Sequence, residues 1–181
     1  MIKNSDEKKP PIIIAISVLL SVFVGIFTSI IGIHKIVNYY NPYLFVFISG
    51  GVGLCLGIYS SIKLKPYIAV NKRMRKDYWL PPVFISTGFI GVFILGGSYL
   101  NQRLSTIDKC DRFAVIDKYR KEAHFRSPEI NTLVVDINGD SQRLICNFNY
   151  WDSIAIGQQI DLCLYKSSLG FNYISVTNDD Y

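Results

Sequence analysis

Residues 63–76, KLKPYIAVNKRMRK, carry six basic side chains and no acidic one, between two long apolar runs. The side of a bilayer on which they sit decides where the rest of the chain lies. Upstream are residues 12–33 (IIIAISVLLSVFVGIFTSIIGI) and 43–62 (YLFVFISGGVGLCLGIYSSI). Downstream are residues 83–100 (VFISTGFIGVFILGGSYL), extendable back to Trp79. As helices rising 1.5 Å per residue, these would span about 33, 30 and 27 Å, against a hydrocarbon core of about 30 Å. From Pro11 to Ile62 the only basic or imidazole side chains are His34 and Lys35, and no acidic residue occurs. Each run follows proline, at Pro10–Pro11, Pro42 and Pro81–Pro82; a first helical turn tolerates the missing N–H. Tyr39, Tyr40 and Tyr43 would anchor one interface, and Tyr59, Tyr67, Tyr78 and Trp79 the other.

Lys and Arg in short loops stay cytoplasmic. The loop at 63–76 has Lys63, Lys65, Lys72, Arg73, Arg75 and Lys76, whereas the loop at 34–42 has Lys35 alone. The basic loop is therefore expected inside, and parity places the N-terminus, with Lys3, Lys8 and Lys9, inside too. The first run is too long for a cleaved signal peptide and no small-x-small site follows it, so an uncleaved anchor is expected. Three spans send everything after Leu100 to the outside, which for a bacterial inner membrane is the periplasm. The same six basic residues are also suited to anionic lipid headgroups, at about 1 kcal/mol each near the surface.

The charge is unevenly divided. Residues 1–100 are net +7 and residues 101–181 net −2. The positive excess flanks apolar runs and forms no phosphate-tracking groove, so no nucleic acid is expected. Small residues recur at every fourth position in two spans: Ser17, Ser21, Gly25 and Ser29, then Ser49, Gly53, Gly57 and Ser61. Such stripes let helix backbones approach, either within one bundle or against a membrane partner. The third run has a looser set, Thr87, Gly88, Gly91, Gly96 and Gly97. No acidic or basic side chain interrupts the spans as an ion carrier would require, and Cys55 reads as a small packing residue.

Residues 101–181 read as β-structure. In TLVVDINGDSQRLICNF, two alternating arms flank Asn138–Gly139, a pair suited to a tight hairpin. In the first arm Leu133, Val135 and Ile137 share a face, and in the second Leu144, Cys146 and Phe148 do. RFAVIDKYR precedes the hairpin, while QIDLCLYK and FNYISV follow it around the turn SSLG. A short turn or helical piece is expected around NYWDSIAIG. The expected fold is thus three transmembrane helices plus a C-terminal small all-β domain, an OB-like or SH3-like barrel of about five strands. Its divisions are a cytoplasmic tail (1–11), helices at 12–33, 43–62 and 79–100, an outer loop (34–42), a basic cytoplasmic loop (63–78) and the extracytoplasmic β-domain (101–181). The layout is similar to that of NfeD-type membrane proteins, which end in an OB-fold; the similarity is one of plan, without a shared motif.

Chemistry-bearing patterns are weak. DINGD spaces Asp136, Asn138 and Asp140 like a calcium loop, but glycine comes fourth rather than sixth and Asn147 stands where glutamate is needed. No C-x-x-C exists and His124 is the only histidine of this part, so zinc is not expected. Cys110, Cys146 and Cys163 can form at most one internal disulfide, and the choice of pair is left open. No G-x-S-x-G, H-E-x-x-H or Walker pattern occurs. The expectation is a non-enzymatic protein without cofactor or small-molecule substrate. It would present its β-domain to a protein partner, as a toxin-immunity protein would, with Phe148, Tyr150 and Trp151 as candidate contact rings. The alternative is an assembly subunit that packs against other membrane chains, or against itself, through the Ser/Gly stripes.

Overall fold

The computed structural model describes residues 12–69, 78–122, 129–137 and 139–176. The N-terminal tail, Lys72, Arg73, Arg75, Lys76, His124 and Asn138 lie outside the described residues. The chain divides into two compact units, one of Met1–His34 with Tyr43–Ser98 and one of Lys35–Pro42 with Tyr99–Tyr181.

The helical unit is built on α1 (Ile12–Lys35), α2 (Pro42–Ile68) and α3 (Leu80–Arg103), whose last turn belongs to the second unit. All three are long and apolar enough to cross a membrane. α2 continues beyond the expected end at residue 62, with Pro66 inside its last turns. Its buried positions are Phe45, Gly50, Gly53, Gly57 and Ser61, while α1 buries only Gly25 and Gly32. The glycines explain why. A Cβ at Gly25 would strike the Thr87 carbonyl, and one at Gly91 the Gly25 carbonyl. On the other side of α3, a Cβ at Gly53 would lie 2.8 Å from the Phe89 oxygen, and one at Gly57 2.5 Å from Ser86 Cα. Helix α3 is the hub: its backbone meets α1 on one side and α2 on the other, at distances only glycine permits.

The β-unit contains β1 (Ser105–Lys121), β2 (Ile130–Ile137), β3 (Asp140–Cys146), the short helix α4 (Phe148–Ser153), β4 (Gln159–Ser167) and β5 (Tyr173–Val176). The strands form one antiparallel sheet in the order β3-β2-β1-β4-β5, curled into a half-barrel. The long first strand makes the curl. Its first part pairs with β4, from Ser105↔Ser167 to Ala114↔Gln159, and its second part with β2, from Val115↔Val135 to Lys121↔Ile130. A register irregularity at 115/117 lies where one ladder hands over to the other, and a second at 107/109 lies within the β1–β4 ladder.

The concave side holds the core: Phe113, Val115, Leu133, Val135, Leu144, Ile160 and Leu162 among others. Leu133, Val135 and Ile137 share that face, as do Leu144 and Cys146. Phe148 does not continue the alternation. It begins α4 and stays 40% exposed. Two turns close as their residues dictate: Gly139 at φ 91° with its N–H on Asp136 Oδ1 (2.8 Å), and Gly170 at φ 82° with its N–H on the Ser167 carbonyl (2.9 Å).

Candidate functional site

The curled sheet has two edges, β3 and β5, and unpaired edges invite other strands. Here the segment Lys35–Pro42 between α1 and α2 covers both. Tyr40 N–H donates to the Asn172 carbonyl (3.1 Å), Ile174 N–H donates to the Asn38 carbonyl (3.1 Å), and Tyr39 faces Tyr173 in an antiparallel bridge. The Asn38 side chain reaches the other edge. Its Nδ2 donates to the Ile145 carbonyl (3.1 Å) and its Oδ1 accepts from the Ile145 N–H (2.9 Å). One amide group thus presents to β3 the donor and acceptor that a neighbouring strand would supply. Asn is among the few residues with both groups in one plane.

Below this clamp the tyrosines stack, Tyr39 on Tyr173 at 5.4 Å and Tyr173 on Tyr165 at 4.7 Å between ring centroids. Tyr39 is 5% exposed, so it is a component of the β-unit rather than an interface anchor; Tyr43 is 90% exposed. Burial raises the Tyr39 phenol above its ordinary range, while hydrogen bonds to Asn101 and Gln102 partly offset that rise. Burial also raises Tyr173, with Ser105 in hydrogen-bond reach of its hydroxyl at 2.9 Å.

The aromatic candidates occupy α4. Asn147 caps the helix, its Oδ1 accepting from Tyr150 N–H at 2.8 Å. Trp151 packs on the core, and its Nε1 donates to the Thr132 carbonyl at 3.2 Å. Lys118 lies 4.3 Å from the Trp151 ring centroid and donates to the Trp151 and Ile154 carbonyls at 3.2 and 2.7 Å. Its charge therefore sits at the helix C-terminus, where the backbone dipole favours a cation. Tyr150 also packs against the core. Phe148 stacks on Trp151 and lies under the Arg120 guanidinium at 4.5 Å, with Arg120 in turn paired with Glu129 at 3.2 Å. Asn131 and then Arg120 hold the Glu129 carboxyl below its usual range. Of the three rings, Phe148 alone keeps a substantial outward surface.

Cys110 and Cys163 stand directly opposite each other in the β1–β4 ladder, 4.1 Å apart at Cα, and form a disulfide. Cys146 is buried in the core as a thiol. Strand alternation explains the choice: Cys163 lies on the face away from Leu162 and Leu164, whereas Cys146 faces inward.

In the helical unit Gly25, Gly53, Gly57 and Ser61 are buried, Ser21, Ser29 and Ser49 are half-buried, and Ser17 is exposed. Ser21 Oγ bonds the Val18 carbonyl at 2.7 Å and reaches the Phe84 carbonyl of α3 at 3.1 Å. Cys55 is exposed rather than packed between helices. An open apolar groove of about 350 Å³ runs between α1 and α3, beside Ser17, Leu20, Phe89 and Phe93. Lys63 and Lys65 are exposed, each with its amine over a tyrosine ring, Tyr59 and Tyr78 respectively. Sequence reasoning missed Asn38. Its one available signal was a polar amide next to paired tyrosines in a short loop.

Among the described residues no group of three His, Cys, Asp or Glu side chains could hold a metal. Compared with protein-family models, with curated proteins and with solved structures, the chain matches none.

Proposed function

We propose that this chain is a non-enzymatic, multi-pass protein of the bacterial inner membrane that presents its β-unit to a protein partner on the periplasmic side. One observation carries the arrangement: the Lys-poor loop Lys35–Pro42 is built into the same compact unit as the C-terminal strands. Both therefore belong on one side of a three-span chain, opposite the basic loop that charge places in the cytoplasm. The Cys110–Cys163 disulfide supports the same side, because disulfides persist in oxidising compartments. The outward side chains of α1, such as Phe23 and Phe27 at 64% and 66% exposure, suit a hydrocarbon environment.

The half-barrel, completed by the loop, is read as a small OB-like or SH3-like barrel. Its partner surface is centred on Phe148, the exposed ring of α4, flanked by Arg120. A toxin-immunity protein is a narrower form of this reading. Lys63 and Lys65 add a headgroup contact at the cytoplasmic end of α2.

A photo-crosslinking amino acid at position 148, activated in cells, tests the partner. A heavier adduct with a second protein is expected, and recovery of the chain alone or crosslinked only to itself refutes the reading. A C-terminal alkaline phosphatase fusion tests the side independently: an active fusion is expected, and an inactive one beside an active cytoplasmic reporter refutes it. Protection of cells against a cognate toxin tests the narrower form.

A further inference from the structure

The disulfide lies on the outer face of the sheet. Cys110 is exposed, Cys163 is half-buried, and both are on the face of the sheet opposite Leu162 and Leu164. The β1–β4 ladder continues on both sides of the bridge, to Ser105↔Ser167 one way and Ala114↔Gln159 the other. Cutting the sulfur–sulfur bond therefore opens no core cavity and removes no ladder hydrogen bond. The unit's other cysteine, Cys146, sits inside the core at 6% exposure and takes no part.

We propose that Cys110–Cys163 is a thiol–disulfide exchange site that opens and closes within the folded β-unit, with a dithiol oxidoreductase as its reaction partner. The unequal exposure sets the direction of attack. A reductant thiolate approaches the outward Cys110 Sγ in line with the bond and forms a mixed disulfide with it. Cys163 leaves as a thiolate and takes a proton from water. The second thiol of the reductant then attacks its own sulfur in the mixed disulfide, releasing Cys110 and leaving the reductant oxidised. Two electrons pass from the dithiol to the protein pair, and the reverse sequence restores the bridge. Exchange rates depend on which sulfur is reachable as well as on thiolate character. The reduced unit keeps its sheet, its core and the loop clamp at Asn38, so the reaction changes the β1–β4 ribbon and not the fold.

The full-length oxidised protein, in detergent and without denaturant, is treated with dithiothreitol as the probe dithiol and then with a bulky polar maleimide. Labelled positions are mapped by mass spectrometry. Cys146 is the internal reporter, because its buried thiol reacts only when the β-unit opens. Labelling of Cys110 and Cys163 with Cys146 unlabelled is the expected result. No labelling at Cys110 before denaturant overturns the proposal, and so does simultaneous labelling of all three, since the bond would then open only through unfolding. A reduced chain in which oxidised glutathione cannot restore the Cys110–Cys163 bond overturns it as well. Direction is read from Cys110→Ser and Cys163→Ser chains treated with oxidised glutathione. At least ten-fold faster mixed-disulfide formation is expected at Cys110 than at Cys163, and equal rates refute the assigned order of attack.

Discussion

Asn38→Ala is the substitution that most directly tests how the half-barrel is closed. It deletes both hydrogen bonds to Ile145, at 2.9 and 3.1 Å, and leaves the backbone pairings of Asn38 with Ile174 and of Tyr40 with Asn172 in place. At about 1 kcal/mol net per bond the loss is about 2 kcal/mol. Ile145 is half-buried, so water can replace part of what is lost and the larger penalty of a dry orphan group does not apply. A change of 2 kcal/mol corresponds to about a 30-fold increase in opening of the β3 edge. Amide hydrogen exchange on the full-length chain reads this directly, since local openings are resolved segment by segment. Protection across β3 should fall by about that factor, while the β1–β4 ladder around Cys110 keeps its wild-type rates. Asn38→Asp is a sharper form of the same test. A carboxylate can still accept from the Ile145 N–H but faces the carbonyl without a proton, so at neutral pH it should protect β3 no better than alanine. Wild-type exchange of β3 in Asn38→Ala would refute the clamp.

Gly91→Val drives a side chain onto the Gly25 carbonyl and towards Thr28, and should weaken the α1–α3 contact by about 1–3 kcal/mol or more. Titration with a denaturing detergent measures this, with unchanged exchange in β2 and β3 as the control. Trp151→Ala removes the ring under Lys118 and the bond to Thr132, and should cost the β-unit about 3 kcal/mol; thermal unfolding should show it, with Trp151→Phe losing only about 1 kcal/mol. Tyr39 has a folded-state pKa above its unfolded value. The neutral phenol is the form the fold accepts, so its contribution is complete below the ordinary phenol range and is lost as the pH rises through the raised value. Alkaline titration of tyrosine absorbance should show one fewer late-ionising group in Tyr39→Phe than in the wild type, with Tyr173 still among those that remain, and an unchanged number would refute the assignment.

Much of this protein was legible in one dimension because its signals are local. Long apolar runs with few charges specify helices long enough to span a bilayer, since an unpaired backbone group in hydrocarbon is too costly for other structures. Alternation gave the two hairpin arms and the inward faces of Leu133, Val135, Ile137 and Leu144, because successive strand residues point to opposite sides, whereas β1 begins seven residues before the expected RFAVIDKYR. The fourfold spacing of Gly25, Gly53 and Gly57 marked where backbones meet, although not that α3 lies between the other two.

The remaining features depended on which distant segments meet. Strand order is one: β1 lies at the centre of the sheet, and nothing in its own residues says that β2 and β4 take opposite sides of it. Phe148 follows the strand alternation on paper, but Asn147 captures the Tyr150 N–H and starts a helix there, turning the ring outward. The sequence left the cysteine pairing open, and the partnership of Cys163 with Cys110 needed the β1–β4 register. Asn38 is the clearest case. As a sequence letter it is a polar residue in a short loop. Its role arises only because two sheet edges, 107 and 136 residues further along the chain at Ile145 and Ile174, converge on one amide and one carbonyl. Local physical chemistry determined the elements of this protein, and long-range hydrogen bonding decided how its half-barrel is closed.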